Sequence, residues 1–241
     1  MNRRKFLTAA ASAAVALPGA HLLRAATDSK TSEPKGLVTH GSRLTPPASG
    51  SIPVAIVISE YLNVIDFSGP WGVFESVNLP NAMESPFHLF TVAETAETVV
   101  SGSGLKIVPD HTFENVPAVK IVVVPAQKGN DAMIEWLRQI APKTDVTMSV
   151  CTGAFKLAKA GLLAGQAATT HHEFLDKLEK EYPDMQVKRG VRFVENEHIA
   201  TAAGLTSGTD LALRVVERYF GREVTQTTAS YMEYQGTGWI V

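Results

Sequence analysis

The chain has 241 residues, a formal net charge of −2 and a hydrophobic fraction of 45%. This length and composition are typical of a globular protein of one or two domains with a sizeable core. The near-neutral charge gives no reason to expect a nucleic-acid partner. A single cysteine, Cys151, excludes an internal disulfide and any cluster of thiolates around a metal.

The first 26 residues are typical of an export signal. Adjacent arginines, Arg3 and Arg4, precede an alanine-rich apolar run, which resembles a bacterial twin-arginine signal peptide. We therefore predict a signal peptide over residues 1–26 and a periplasmic or otherwise exported protein, without stable membrane insertion after cleavage. The alternative is an uncleaved anchor, which Pro18-Gly19 within the run disfavours.

The rest of the chain divides into a predicted flexible linker, residues 27–51, and a predicted folded domain, residues 52–241. The linker is polar and contains several prolines and serines. Predicted strands in the domain cover residues 53–58, 87–92, 120–124, 145–150, 167–170, 191–194 and 198–202. Predicted helices cover residues 67–77, 132–140, 152–163, 173–181, 205–220 and 222–232, and a small hairpin covers residues 99–108. Apolar strands that alternate with helices indicate a mainly parallel sheet covered on both faces.

Cys151 lies between the predicted strand 145–150 and the predicted helix 152–163. A thiol at the corner between a strand and a helix N-terminus is a recurring arrangement for a nucleophile. Free N–H groups and the helix dipole at such a corner favour the thiolate, which is the reactive form. The alternative is a small buried hydrophobic residue with no chemical role. Thr152 could approach the sulfur or simply cap the helix.

Polar or reactive residues follow several of the predicted strands. Cys151 follows one strand, Asp66 lies just beyond another, and Ala126-Gln127 and His171 follow two more. Sites in parallel sheets lie at the carboxyl ends of strands, so this coincidence favours a functional cysteine. Asp66 could instead cap a helix, and His171 could be a structural histidine. We predict no metal site, because His171 and His172 are adjacent and no third ligand is apparent.

Two segments carry a resemblance to a known family: residues 149–155 around the cysteine, and the acidic segment 65–70. They resemble the PfpI-like branch of the class I glutamine amidotransferase-like superfamily. Within that branch they are most similar to the isonitrile hydratases and to the amidotransferase-like domains of AraC-type regulators. The resemblance covers roughly residues 53–235. It implies a flavodoxin-like three-layer α/β sandwich with a nucleophile elbow, and a homodimer.

The resemblance also implies a chemistry. It assigns the nucleophile to Cys151 and the neighbouring carboxylate to Asp66, and the threonine that isonitrile hydratases have after the cysteine is Thr152 here. Protease-like branches have histidine at that position, so we do not expect peptidase activity. The implied reaction adds water to a small electrophilic carbon through a Cys151 thioimidate, with Asp66 as acid and base and no cofactor. The alternative is a non-catalytic ligand-sensing or redox-responsive domain.

The chain departs from the family pattern after the third predicted strand. The family usually has Pro-Gly-Gly there, with a backbone N–H that contributes to an oxyanion hole, whereas this chain has Pro125 followed by Ala126 and Gln127. A positive φ would be costly for alanine, and Gln127 could narrow the pocket or supply its own amide. The predicted pocket consists of Thr152, Ala126, Gln127, Gly69 and His171.

Overall fold

The computed structural model describes residues 37–38, 41–80 and 84–241, and only the backbone of residues 37–38. The strands are β1 (Leu37–Val38), β2 (Ile52–Val57), β3 (Phe87–Ala93), β4 (Val99–Val100), β5 (Lys106–Ile107), β6 (His111–Thr112), β7 (Ile121–Val124), β8 (Val146–Val150), β9 (Ala167–Ala168), β10 (Gln186–Val187), β11 (Phe193–Glu195) and β12 (Ile199–Ala202). The helices are α1 (Val64–Glu75), α2 (Asp131–Ile140), α3 (Ala154–Lys159), α4 (Leu175–Glu181), α5 (Ser207–Phe220) and α6 (Arg222–Tyr231). Short 3₁₀ helices cover Ala141–Lys143, Cys151–Gly153 and His172–Phe174. Within these ranges, no helix has the length and apolar character needed to cross a membrane.

The centre of the fold is an eight-stranded sheet in the order β1-β11-β12-β8-β7-β2-β3-β6. The pairs from β12 to β6 are parallel, whereas β11 runs antiparallel to β12. Strands β4 and β5 form a separate antiparallel hairpin, and β9 pairs with β10 in a second small sheet. The carboxyl ends of β2, β7, β8 and β12 therefore meet at one edge of the main sheet.

Helices cover both faces of this sheet, as the apolar strands require. Along β2, Val54 and Ile56 pack into a core with residues of α1 and α5. Ala55 and Val57 point to the opposite face and pack into a second core with residues of α2 and α3. Successive side chains of a strand face opposite sides, so this division confirms the predicted three-layer sandwich.

Most predicted strands and helices are confirmed to within a few residues, with two differences near the site. The predicted helix 152–163 is a 3₁₀ turn over Cys151–Gly153 followed by the six-residue α3. The predicted strand 167–170 is shortened to β9 and leaves the main sheet. The edge of β12 is occupied by β11, so β9 pairs with β10 instead.

Part of the predicted linker contacts the folded domain. Strand β1 pairs in parallel with β11 at the edge of the main sheet. The Ser42 carbonyl accepts a hydrogen bond from Arg218 Nε at 2.8 Å, and the Leu44 N–H donates to the Arg218 carbonyl at 2.8 Å. The Arg218 guanidinium is itself buried beside Glu195. The segment is held because its backbone provides hydrogen-bond partners for a buried cation. The predicted signal and residues 27–36 lie outside the described residues.

Candidate active site

The backbone of Cys151 forms a sharp turn at the carboxyl end of β8. Its φ is 57°, in the left-handed region, which costs a non-glycine residue about 1–2 kcal/mol. The Cys151 N–H donates to the Ala203 carbonyl at 2.7 Å, and its carbonyl accepts from Thr170 Oγ1 at 2.8 Å. A Cβ at Gly153 would lie 2.0 Å from the Val124 carbonyl oxygen, so the turn requires glycine there. These contacts hold the thiol at the strand end.

Asp66 is the third residue of α1 and is completely buried. The Ala126 N–H donates to its Oδ2 at 3.1 Å. Its Oδ1 is buried and has no partner of normal hydrogen-bond geometry among the described residues. The Cys151 thiol lies close enough to interact with the carboxyl group. The N-cap of α1 is Asn63, so the alternative interpretation of Asp66 as a helix cap is wrong.

The two side chains form an electrostatically coupled pair. Burial raises the pKa of Asp66 to about 6, although the Ala126 N–H and the Cys151 thiol oppose the rise. Burial, and then the charge of Asp66, raise the pKa of Cys151 to about 11. Hydrogen bonds from the N–H groups of Thr152 and Leu205 and from the Thr152 hydroxyl lower this pKa, but by less. The pair therefore holds one shared proton over a wide range around neutral pH, and it titrates as a unit.

Burial and the charge of Asp66 oppose the thiolate that the sequence analysis expects at Cys151. The helix dipole stabilises a thiolate at Cys151 only weakly, because the first turn is 3₁₀ and α3 has only six residues. The N–H groups that approach the sulfur are outweighed by burial and by the neighbouring carboxylate. The thiolate is therefore disfavoured while Asp66 is charged, and the two groups titrate together.

An open groove of about 670 Å³ lies above Cys151, at the carboxyl edge of the sheet. Its lining residues are Tyr61, Asn63, Ala126, Gln127, Lys128, Cys151, Thr152, His171, Glu173, Phe174 and Leu205. Four of the five predicted pocket residues therefore lie around the cysteine, and Asp66 lies beneath it. Gly69 does not reach the groove. It packs in α1 against Thr209, whose Oγ1 would lie 2.9 Å from a Cβ at that position.

Ala126 and Gln127 take roles that differ from the predicted ones. Neither has a positive φ, so the expected strain at Ala126 is absent. The Ala126 N–H is already bonded to Asp66 and is not free as an oxyanion donor. Gln127 is 8% exposed, and its Nε2 donates to the Val57 carbonyl at 2.9 Å. Among the described residues, its Oε1 is buried without a partner and its backbone N–H makes no hydrogen bond.

Thr152 and His171 both line the groove. No side chain caps the beginning of α3, and the Thr152 hydroxyl instead approaches the sulfur. The His171 Nδ1 accepts the Glu173 N–H at 3.3 Å, so in the neutral ring Nε2 carries the proton. Its ring stacks on His172 at 4.4 Å. In the part of the chain that the structure describes, no three side chains of the usual metal-binding types converge.

The sequence analysis missed six of the eleven groove residues, and two of these, Tyr61 and Leu205, have an unusual backbone conformation. Their φ values are 58° and 49°, and their side chains are 67% and 37% exposed. Together with Cys151, they are three of the four non-glycine residues with positive φ in the described ranges. Such strain clusters at functional sites. The sequence has no direct signal for it, because glycine or asparagine usually occupies these conformations. The only signal is their position after strand ends.

Comparison with known proteins identifies the family of this chain. The sequence model of the DJ-1/PfpI family matches residues 53–218, which is more than half of the chain. The chain belongs to the DJ-1/PfpI family. An isonitrile hydratase of Pseudomonas putida is 30% identical over 190 residues, covering 76% of this chain and 79% of the hydratase.

Other similar proteins include a transcriptional regulator and a crystal structure whose title names only the family. The HTH-type transcriptional regulator GbdR of Pseudomonas aeruginosa is 27% identical over 150 residues, which cover 60% of this chain and 41% of the regulator. This chain thus matches less than half of the regulator's length. A crystal structure of a THiJ/PfpI family protein from Pseudomonas syringae is 25% identical, with a TM-score of 0.69 over 78% of this chain and 76% of that chain.

Proposed function

We propose that this protein hydrates isonitriles to N-substituted formamides through a covalent intermediate on Cys151. The observation that carries the proposal is the buried carboxyl group of Asp66 beside the thiol, with a pKa raised to about 6. A group with this pKa can both accept and release a proton near neutral pH. The similarity to an isonitrile hydratase along most of both chains supports the choice of substrate class.

In the first step, the Cys151 sulfur bonds to the terminal carbon of the isonitrile. The carboxylate of Asp66 takes the thiol proton as the carbon–sulfur bond forms, and then delivers it to the same carbon. The product is a thioimidate, R–N=CH–S–Cys, with no net change in charge. The raised pKa of Cys151 fits this step, because the proton that the carbon needs is already on the sulfur.

In the second step, water adds to the thioimidate carbon and a proton moves to the nitrogen. The carboxylate of Asp66 again serves as the base, because it has given its first proton to the substrate carbon. The carbon–sulfur bond then breaks, the formamide leaves, and a proton returns to the sulfur. Water enters from the open groove, since Asp66 itself is completely buried beneath the thiol.

A panel of electrophiles tests this proposal. Wild-type protein is incubated separately with an alkyl isonitrile, a glyoxal and a peptide, and products are followed by nuclear magnetic resonance. We expect formamide to appear from the isonitrile at a rate well above that of buffer. Isonitrile consumption no faster than in buffer would contradict the proposal. Saturable binding of the isonitrile without turnover would instead favour a ligand-sensing role, which the similarity to regulators makes the second candidate.

The pH dependence of turnover follows from the pKa of Asp66. Below about pH 6 its carboxyl group is protonated and cannot accept the thiol proton. We expect kcat/KM to rise about tenfold per pH unit up to roughly pH 6 and to stay level to at least pH 9. The measurement is a pH profile corrected for spontaneous isonitrile hydrolysis. A rise centred near pH 8.5, the pKa of an ordinary thiol, would contradict this account.

Export by the twin-arginine route and a homodimeric assembly remain proposals. The adjacent Arg3 and Arg4 support the first, and the resemblance to a family that often dimerises supports the second. Neither enters the mechanism proposed above.

A further inference from the structure

Tyr61 is a large side chain that lies exposed in the groove of Cys151. It lines the groove and is 67% exposed. Its φ of 58° is in the left-handed region, which glycine or asparagine adopts more easily than a bulky residue. An exposed ring also contributes little hydrophobic stabilisation to the folded chain. The tyrosine therefore adds little to the stability of the fold, which points to a ligand that covers its ring.

The backbone around Tyr61 is held in place on both sides. The Tyr61 N–H donates to the Val100 carbonyl in strand β4 at 3.0 Å. The next residue, Leu62, is completely buried. The N–H of Asn63 then donates to the Ala126 carbonyl at 2.8 Å. A tyrosine ring on a fixed backbone has only two side-chain torsions to order when a ligand covers it, so the entropic cost of binding is small.

A second exposed apolar side chain, Leu205, lines the same groove. It is 37% exposed and also has a positive φ, of 49°. The ring of Phe174 is part of the lining as well. The lining carries one positive and one negative side chain at neutral pH, Lys128 and Glu173. The groove therefore offers apolar surface with balanced charge, which suits a neutral ligand with an apolar group.

We infer that Tyr61 selects substrates by binding the organic substituent of the isonitrile, with a preference for large, ring-bearing substituents over short alkyl groups. This inference rests on the proposed function, which places the terminal carbon of the isonitrile at Cys151. Asp66 is completely buried beneath the thiol, so the substituent extends into the open groove, where the exposed apolar side chains lie. Contact with Tyr61 removes apolar surface of both partners from water, and packing of ring against ring adds to this gain.

A pair of formamides, which resemble the product of the proposed reaction, tests the inference without requiring turnover. N-benzylformamide carries a ring, and N-ethylformamide carries a short alkyl group on the same amide. Each is titrated as a protectant of Cys151 against iodoacetamide at pH 9, and the alkylated fraction is measured by intact mass. In the wild type we expect N-benzylformamide to protect at about tenfold lower concentration, because it buries more apolar surface.

Three variants show whether the ring of Tyr61 is responsible. Tyr61→Phe keeps the ring without the hydroxyl, and Tyr61→Asn removes the ring in favour of a residue that suits the left-handed backbone. We expect the tenfold ratio to persist in Tyr61→Phe and to fall to about twofold in Tyr61→Asn. Tyr231→Asn is the matched control, because Tyr231 is 77% exposed at the end of α6 and outside the groove lining. It should keep the wild-type ratio. A ratio between two ligands in one variant is insensitive to a general loss of stability.

A wild-type ratio near one would overturn the inference, and so would the same ratio in the wild type and in Tyr61→Asn. Absence of protection by either formamide in the wild type would also overturn it. The proposed function fails on a different observation. If the isonitrile is not turned over but the ratio depends on Tyr61 as described, the groove binds ring-bearing amides and the protein is not a hydratase.

Discussion

Replacement of Cys151 by alanine is expected to reduce isonitrile turnover at least about 10³-fold, to the level of buffer. The substitution removes the atom to which the substrate carbon bonds, and no other cysteine in the chain can replace it. The fold should persist, because Cys151 is a small residue whose backbone bonds to Ala203 and Thr170 do not involve the sulfur. Formamide production and the thermal midpoint are measured on the same preparation.

A serine variant is the matched control for this loss. Cys151→Ser keeps a polar atom at the turn, but a hydroxyl is a far weaker nucleophile than sulfur and holds its proton more tightly. We expect it to be as inactive as Cys151→Ala. Turnover in either variant above about one tenth of the wild-type rate would show that the reaction does not pass through the thiol.

Substitution of Asp66 by asparagine is expected to lower kcat roughly 10²–10⁴-fold, the usual contribution of a positioned acid–base group. Asparagine can still accept the Ala126 N–H, so the local geometry should be retained. It cannot take the thiol proton or return it to carbon. Asp131→Asn, at an exposed aspartate paired with Lys159, is the matched control and should leave turnover unchanged.

The same Asp66→Asn variant should be more stable than the wild type at neutral pH. The pKa of Asp66 is raised in the folded state, so its contribution to stability is full below the unfolded pKa near 4 and is lost as pH rises through about 6. At pH 7.5 the variant should gain about 3 kcal/mol in the free energy of unfolding, and at pH 3.5 about none. A variant both inactive and destabilised at pH 7.5 would point to a structural role for Asp66.

Local patterns in the sequence were sufficient for the main architecture and for the turn at Cys151. The strands around β2 and β7 are continuously apolar, which only a sheet covered on both faces accommodates. The placement of Cys151 directly after such a strand predicted the turn. Carboxyl ends of parallel strands share one edge, so the convergence of Gln127 and His171 on the groove also followed from the order of elements.

What the sequence could not predict depends on long-range contacts. The Ala126 N–H is used by Asp66 from a helix 60 positions earlier, which no local pattern reveals. The raised pKa of Cys151 results from burial and from that same carboxylate. Tyr61 and Leu205 adopt left-handed backbone conformations that their residue types disfavour. The hydrogen bond between Arg218 and the Ser42 carbonyl, within the predicted linker, likewise depends on tertiary structure.

The central claim is that Asp66 and Cys151 share one proton, which rests on the sulfur at neutral pH. The direct test is the rate of iodoacetamide alkylation of Cys151 from pH 6 to pH 10, in the wild type and in Asp66→Asn. We expect the wild-type rate to keep rising about tenfold per pH unit to pH 10, and the Asp66→Asn rate to be higher, because the variant lacks the charge that raises the thiol pKa. A wild-type rate that is already level at pH 7, showing a resident thiolate, would contradict the account.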